Sequence, residues 1–330
     1  MKQFKKTVLA VVTLVTVLFS SFGLTPLQVN AQEAIDIAIA QFVSHPSLDQ
    51  IVQGIKDELA ANGYVEGENL TIEFHNAEAD INLLSTIAEQ VVSEEPDLIF
   101  AVTTPVSQAF QNQTSELPII MAGVTDPVSA GLVEDVEKPG ENISGTSDAF
   151  PLEKHFDLML QVDPSIKKIG MIYTSSEDNA QAEIESAKEV AESMGLEVVV
   201  EGIATTLDMQ MVAENLSSQV DAIYVGSDNT IASAFETLLD ATDRMDIAVY
   251  PSVDNMVEQG GLAAVAINQA DLGIEAAKIG IDVLNGTAIG DIPIHFVENL
   301  RLVYNSDTAE RLNVEIEAGL LETLEDLSGE

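Results

Sequence analysis

The side chains able to do chemistry are unevenly supplied: 55 Asp and Glu, 13 Lys and Arg, four His and no Cys. Without cysteine there is no thiolate nucleophile, no thiolate metal site and no lipid-modified N-terminal Cys. His45, His75, His155 and His295 fall in no HExxH or H-x-H spacing, so nothing is spaced as a zinc centre. The chain carries no P-loop signature, and no GxGxxG follows its first apolar run, so nucleotide and dinucleotide binding lack support. Calcium-loop spacing is absent as well. The run Gly145-Thr146-Ser147-Asp148-Ala149 approaches a nucleophile elbow but lacks the closing Gly. No catalytic residues, cofactor or metal are expected.

What remains is a set of short polar side chains grouped behind apolar runs. After residues 35–40 come Gln41, Phe42, Val43, Ser44, His45, Pro46 and Ser47. After 98–102 come Thr103, Thr104 and Pro105, and after 119–122 come Gly123, Val124, Thr125, Asp126 and Pro127. Later in the chain, Tyr173 closes a run and precedes Thr174, Ser175, Ser176, Glu177, Asp178 and Asn179. Val225 precedes Gly226, Ser227, Asp228, Asn229 and Thr230, and Tyr250 precedes Pro251, Ser252, Val253 and Asp254. Hydroxyl, amide and carboxylate groups of this size suit a small polar ligand, although the same residue types cap helices. Thr104 reads as an N-cap before a Pro at the first helical position, leaving N–H groups that favour a carboxylate. Asp228 lies in the matching loop of the second half, where a carboxylate suits an ammonium group. The pairing points to a zwitterion. Phe42, Pro46, Pro105, Phe150 and Tyr173 are candidate apolar walls, and each serves equally well as ordinary core.

The elements that would hold these loops alternate along the chain. Strands are expected at 35–40, 70–74, 98–102 and 119–122, with helices near 48–61, 81–93 and 106–113 between and after them. The order repeats with strands at 168–173, 197–201, 222–225 and 248–250 and helices near 179–194, 208–218 and 231–242. That alternation is the pattern of parallel sheets with crossover helices. Ligands of such sheets bind beyond the carboxyl ends of the strands. A further strand at 262–267, a helix at 272–284 and a strand at 300–303 must be shared between two sheets of similar size. The fold class expected is α/β, with two doubly wound Rossmann-like lobes joined by a three-segment hinge. One lobe would comprise 32–145 plus 254–286, the other 146–253 plus 287–330, with crossings near Gly145, Ser252 to Asp254, and Asn285 to Ile292. Two lobes so joined can close on a ligand.

Composition sets the surroundings. The formal charge is 13 − 55 = −42, which repels nucleic acid and anionic lipid. With 46% hydrophobic residues the chain is not of the disordered class. The acids are spread along helices, as on a solvated surface. Lys2, Lys5 and Lys6, an apolar stretch from about Val8 to Phe19, and the small-residue end Val29-Asn30-Ala31 have the order of a secretory signal. Residues 1–31 are therefore expected to be removed near Ala31. The mature chain would carry −42 − 3 = −45 and work outside the cytoplasm, periplasmic or secreted, with no lipid anchor on a Cys.

The run Ile39-Ala40-Gln41-Phe42-Val43-Ser44-His45-Pro46-Ser47-Leu48-Asp49 resembles the first strand and ligand loop of the tryptophan/tyrosine-type ABC transporter substrate-binding proteins. Gly63-Tyr64-Val65-Glu66-Gly67-Glu68-Asn69-Leu70 is similar to that family's next turn, and Ala101 through Pro105 to a further signature. The run from Val124 to Val133, Glu137-Lys138-Pro139-Gly140, and Val220 to Val225 with Asp228-Asn229-Thr230 follow in the family's order. The resemblance covers about Ile35 to Leu312. It implies the type I periplasmic-binding-protein fold and a monomer that captures an amino acid, aromatic ones favoured, for an ABC permease and its ATPase. It also implies that His45, Thr104, Thr125, Asp126, Ser147, Asp148, Ser176, Asn179, Asp228, Asn229 and Asp254 face the cleft. Two features depart from the family's pattern: Glu141 replaces a second Gly after Pro139-Gly140, and the lipobox Cys is missing. Alternatives are another small solute (a branched amino acid, sugar or nucleoside), a sensory receptor domain, or an extracellular α/β hydrolase, against which the incomplete elbow argues.

Overall fold

Apolar runs covered on both faces become strands, and the stretches with apolar residues three and four apart become the helices between them. A computed structural model describes residues 34–329; the expected signal and its cleavage site lie outside the described residues. The first half runs β1 (Ile35–Gln41), α1 (Pro46–Ala61), β2 (Leu70–Asn76), α2 (Ile81–Glu94), β3 (Leu98–Val102), α3 (Thr104–Gln111), β4 (Ile119–Ala122) and β5 (Ile143–Ser147). The second runs α4 (Leu152–Val162), β6 (Lys168–Thr174), α5 (Asp178–Ser193), β7 (Glu197–Ile203), α6 (Met209–Ser217), β8 (Ala222–Val225), α7 (Asn229–Ser233), α8 (Phe235–Asp243) and β9 (Ala248–Pro251). Then follow α9 (Asp254–Glu258), β10 (Ala263–Ile267), α10 (Gln269–Leu284), β11 (His295–Phe296), β12 (Leu300–Tyr304), α11 (Ser306–Leu312), α12 (Ala318–Leu321) and β13 (Glu325–Asp326).

Two parallel sheets result, of order β11-β5-β4-β3-β1-β2 and β7-β6-β8-β9. Every residue of β3, β4, β8 and β9 is buried, as expected for sheets covered on both faces. Along β8, Ala222 and Tyr224 enter one core cluster while Ile223 and Val225 enter another, the two-residue alternation of a strand. Beside the second sheet stands a smaller one, β10-β12-β13, in which β10 and β12 are antiparallel. Among the described residues no helix is long and apolar enough to cross a membrane.

The chain passes between the halves three times. It leaves β5 for α4, whose Phe156 and Met159 lie in the second half's core. It returns between β10 and α10, since Leu272, Ala276 and Ala277 lie in the first half's core. It leaves again after β11, which still pairs with β5. The second and third crossings thus fall later than the sequence suggested, near Ile267 to Asn268 and Val297 to Asn299. The cause is long-range: β10 pairs with β12, some 35 residues on, and no local pattern displays that. Ile143–Ser147 is also a strand, where the sequence suggested the first crossing between lobes. Gly145 has φ 149°, and a Cβ there would lie 2.1 Å from the Met121 carbonyl oxygen, so glycine permits the close approach of β5 to β4.

Two other glycines seat the returning helix. A Cβ on Gly54 of α1 would stand 2.4 Å from the Ala270 carbonyl oxygen, and one on Gly273 of α10 would stand 2.0 Å from that of Ile51. The backbones of α1 and α10 touch at these points, which brings the first residue of α10, Gln269, beside the loops of β1 and β3.

Candidate ligand-binding cleft

The loops after β1, β3 and β4 of the first half and β6, β8 and β9 of the second end around one cavity between the halves. Of the residues expected from sequence, His45, Thr103, Thr104, Thr125, Asp148, Asn179, Asp228 and Asn229 line it. Leu48, Ile51, Ala232, Val253 and Met256 supply an apolar wall. The space is about 30 Å³, room for water rather than for an organic ligand, so its walls would have to part to admit one.

The lining is short of hydrogen-bond partners. Both ring nitrogens of His45, the hydroxyls of Thr103 and Thr104, Oδ1 of Asp148 and Oδ1 of Asn179 are buried with none. A buried polar group left unpaired costs about 1–3 kcal/mol, and native proteins rarely cluster such groups without a use for them. Thr103 adds backbone strain, with φ 90° and ψ 163° in a region that β-branched residues avoid. Thr103, not Thr104, is the N-cap of α3; its side chain makes no capping bond and the residue lines the cleft.

The two halves present opposite polarity. On the first half, α1 and α3 begin at the cleft with N-caps His45 and Thr103 that leave the helix N–H groups without a side-chain acceptor. These are positive helix ends open to an anion. On the second half, the start of α7 is already occupied. Asp228 Oδ1 accepts from the Ile231 N–H at 2.9 Å, and Glu177 accepts from the N–H groups of Asn229 at 3.3 Å and Thr230 at 2.8 Å. Glu183 clamps the same loop, accepting from the Ser227 N–H at 2.8 Å and the Tyr224 hydroxyl at 2.6 Å. Among the described residues neither Lys nor Arg lines the cavity.

Burial governs the ionisable groups here. Desolvation, with Glu177 close by, pushes the Asp228 carboxyl up to about 8 against the hydrogen bonds it accepts from Thr174 and Ile231. Asp148 and Glu183 are also pushed up by burial. Burial brings the His45 imidazole down to about 4, partly offset by Asn229 and Asp49, so the ring is neutral at pH 7. Asp228 spends both oxygens inside the fold, since Thr174 donates to it through its backbone N–H and through Oγ1 at 2.8 Å. Asp148 is only half-buried as a residue, yet its Oδ1 is inaccessible to water and unpaired. It is therefore the carboxylate with an oxygen to offer a ligand, whereas sequence pointed to Asp228.

The remaining expected residues lie elsewhere. Phe42 is in the first half's core, and Pro105 is buried in the first turn of α3. Pro46 and Ser176 are exposed. Tyr173 places its ring over Gly202 of β7. Ser147 is buried behind Thr125, its hydroxyl 3.4 Å from that carbonyl oxygen. Asp126 is exposed and caps its own turn, accepting from the N–H groups of Val128 and Ser129. Asp254 is paired with Arg301 at 2.9 Å. Ser47, Ser227 and Gln269 line the cleft without having been singled out. Gln269 was reachable by the same rule as the others, since it follows the carboxyl end of β10; its placement rests on the late return of the chain.

The chain is similar to known proteins in four respects. A family described as ABC transporter substrate binding protein matches residues 36–326. The chain is 38% identical over 280 residues to the tyrosine-binding protein of Clostridioides difficile (strain R20291), covering 85% of this chain and 81% of that one. Among solved structures, the ABC domain from Streptococcus pneumonia in complex with L-Trp is 39% identical, with a TM-score of 0.86 over 88% of this chain and 98% of that one. The ligand-free, open structure of a substrate binding protein with adhesive properties from Clostridium difficile is 34% identical, with a TM-score of 0.68 over 89% of this chain and 99% of that one. At similar identity, the fit is better to the ligand-bound relative than to the open one.

Proposed function

Because this chain belongs to the ABC transporter substrate-binding protein family, we propose that it captures tyrosine or tryptophan between its halves and presents it to a membrane permease driven by an ATPase. It is a binding protein, not an enzyme. The observation that carries the choice of ligand is the set of unpaired buried groups, hydroxyls on Thr103 and Thr104 and a carboxylate oxygen on Asp148, whose chemistry suits a zwitterion. The ligand carboxylate would lie at the open N-termini of α1 and α3 with the Thr103 and Thr104 hydroxyls. Its ammonium would meet Oδ1 of Asp148, and its ring the wall formed by Leu48, Ile51, Ala232, Val253 and Met256. Proteins similar to this one are named for tyrosine or hold L-Trp, which supports the aromatic class.

The moving bodies would be residues 35–147 with 268–297, and 152–266 with 300–329, bending at the three links between them. The water-sized cavity supports such motion, because a ligand of this kind has no other way in. The protein would act as a monomer outside the cytoplasm, after loss of its first 31 residues.

Isothermal titration with tyrosine, tryptophan, phenylalanine, leucine and glucose tests the reading. Tyrosine or tryptophan should bind tightest, and glucose not at all. Asp148→Asn should weaken the aromatic amino acid roughly 10- to 100-fold, as expected for losing one charge-assisted hydrogen bond. Binding of glucose alone, or unchanged affinity in Asp148→Asn, would refute the ligand class or the amine assignment respectively.

A further inference from the structure

A groove of about 430 Å³ adjoins the cavity on its Asp148 side. Thr125 and Asn179 are walls of both spaces, and Ala149 and Phe150, next in the chain after Asp148, continue into the groove. Asn179 is 6% exposed and holds the Ser227 carbonyl oxygen through Nδ2 at 2.8 Å, while its Oδ1 has no partner at the junction of the two spaces. Beyond that junction the groove runs between the turn after β4 and one face of α5. Ala182, Ser186 and Glu189 recur on that face at helical spacing, with Glu185 beside them. The far wall, Phe150 and Leu152, is apolar. Asp126, Glu185 and Glu189 are exposed along the groove, Glu183 being held by Ser227 and Tyr224, and among the described residues no Lys or Arg lines it, so its exposed charge is negative. Glu185 and Glu189 stand one turn apart, where like charges repel unless a cation lies between them.

Resting on the amino-acid reading above, we propose that this groove is a second subsite, which takes the N-terminal residue of a dipeptide whose C-terminal aromatic residue fills the main cavity. The protein then binds X-Tyr and X-Trp dipeptides as well as the free amino acids. In a dipeptide the α-amine of the aromatic residue becomes an amide N–H, which Asp148 still accepts. The peptide carbonyl and chain pass Thr125 and Asn179. The terminal ammonium reaches the carboxylates of the groove, and the first side chain lies against Phe150 and Leu152. A space of this size accommodates one further residue.

Competition titration against tyrosine, using alanyl-tyrosine, lysyl-tyrosine and N-acetyl-tyrosine, tests this on three proteins: the wild type, Glu185→Gln/Glu189→Gln, and Ser186→Trp. All three substituted positions are exposed on α5, and circular dichroism checks the fold. The dipeptides should displace tyrosine, with lysyl-tyrosine tightest and N-acetyl-tyrosine, which lacks the ammonium, weakest. The double Gln variant should lose at least fivefold in dipeptide affinity and Ser186→Trp at least tenfold, with tyrosine within twofold in both. Tyrosine binding with no dipeptide binding overturns the subsite and leaves the amino-acid reading intact. Dipeptide affinity untouched by both variants also overturns it, as does an equal loss for tyrosine, which would assign the groove to the amino acid itself. A protein that binds neither tyrosine nor tryptophan refutes the underlying reading instead.

Discussion

Thr103 carries a cost in stability for which the proposed binding role would account. Its φ of 90° costs a β-branched residue about 1–3 kcal/mol, and its buried hydroxyl has no partner. Thr103→Gly removes both, so thermal denaturation should show a melting temperature equal to or above the wild type. Tyrosine affinity should fall severalfold in the same variant; a less stable Gly variant would mean that the strain is absent. Asp228 makes a second prediction. Its carboxyl lies at about 8 in the fold, against an ordinary value of 3.8. The folded chain therefore keeps a proton that the unfolded chain gives up, so the stability from this group is full below about pH 4 and is lost as pH rises through about 8. His45 and His155, both brought down to about 4 by burial, act in the opposite sense, but only below their ordinary value of 6.5. Between pH 6.5 and 8 the carboxylate acts without that opposition. The melting temperature should fall across that window in the wild type and fall less in Asp228→Asn. At this scale the sequence located the polar loops but not which oxygen in them is free. Asp148 and Asp228 are the same residue type, and only the donors around them, Thr174 and Ile231, tell them apart.

Between elements, the decisive contact is α1 against α10. The two helices meet backbone to backbone at Gly54 and Gly273, in space that a single methyl group would fill. Gly273→Ala forces the pair apart, and overpacking of this kind costs about 1–3 kcal/mol. In a chain of this size that lowers the melting temperature by a few degrees per kcal/mol. Because Gln269 begins α10, tyrosine affinity should drop with it. A stable variant with normal affinity would show that α10 does not position the cleft. The same scale explains the polarity of the site. β1, β3 and β8 each deliver a helix N-terminus to the cleft, yet α7 arrives with its N–H groups taken by Glu177 and Asp228, while α1 and α3 arrive open. Glu177 lies 52 residues before Asn229, so this asymmetry is a tertiary fact.

For the whole molecule, the predictions concern closure and charge. If the halves close on tyrosine as proposed, small-angle scattering should show the radius of gyration falling when tyrosine saturates the protein, since the cavity as it stands is water-sized. An unchanged radius would remove the hinge from the mechanism. The chain also carries 55 acidic residues against 13 basic ones, so self-repulsion opposes the compact state. Raising sodium chloride from about 10 mM to about 500 mM shortens the screening length from roughly 30 Å to a few ångström. The melting temperature should rise accordingly.

By itself the sequence determined the alternation of strands and helices, the parallel sheets, the polar loops at their carboxyl ends and the family resemblance. These are local properties: side-chain period, helix-start chemistry and short motifs survive in any window of the chain. Only the tertiary structure decided where β10 belongs, that Gln269 joins the cleft, and that Asp148 rather than Asp228 keeps an unpaired oxygen. Each of those depends on partners tens of residues away, and burial and hydrogen-bond competition exist only once those partners meet.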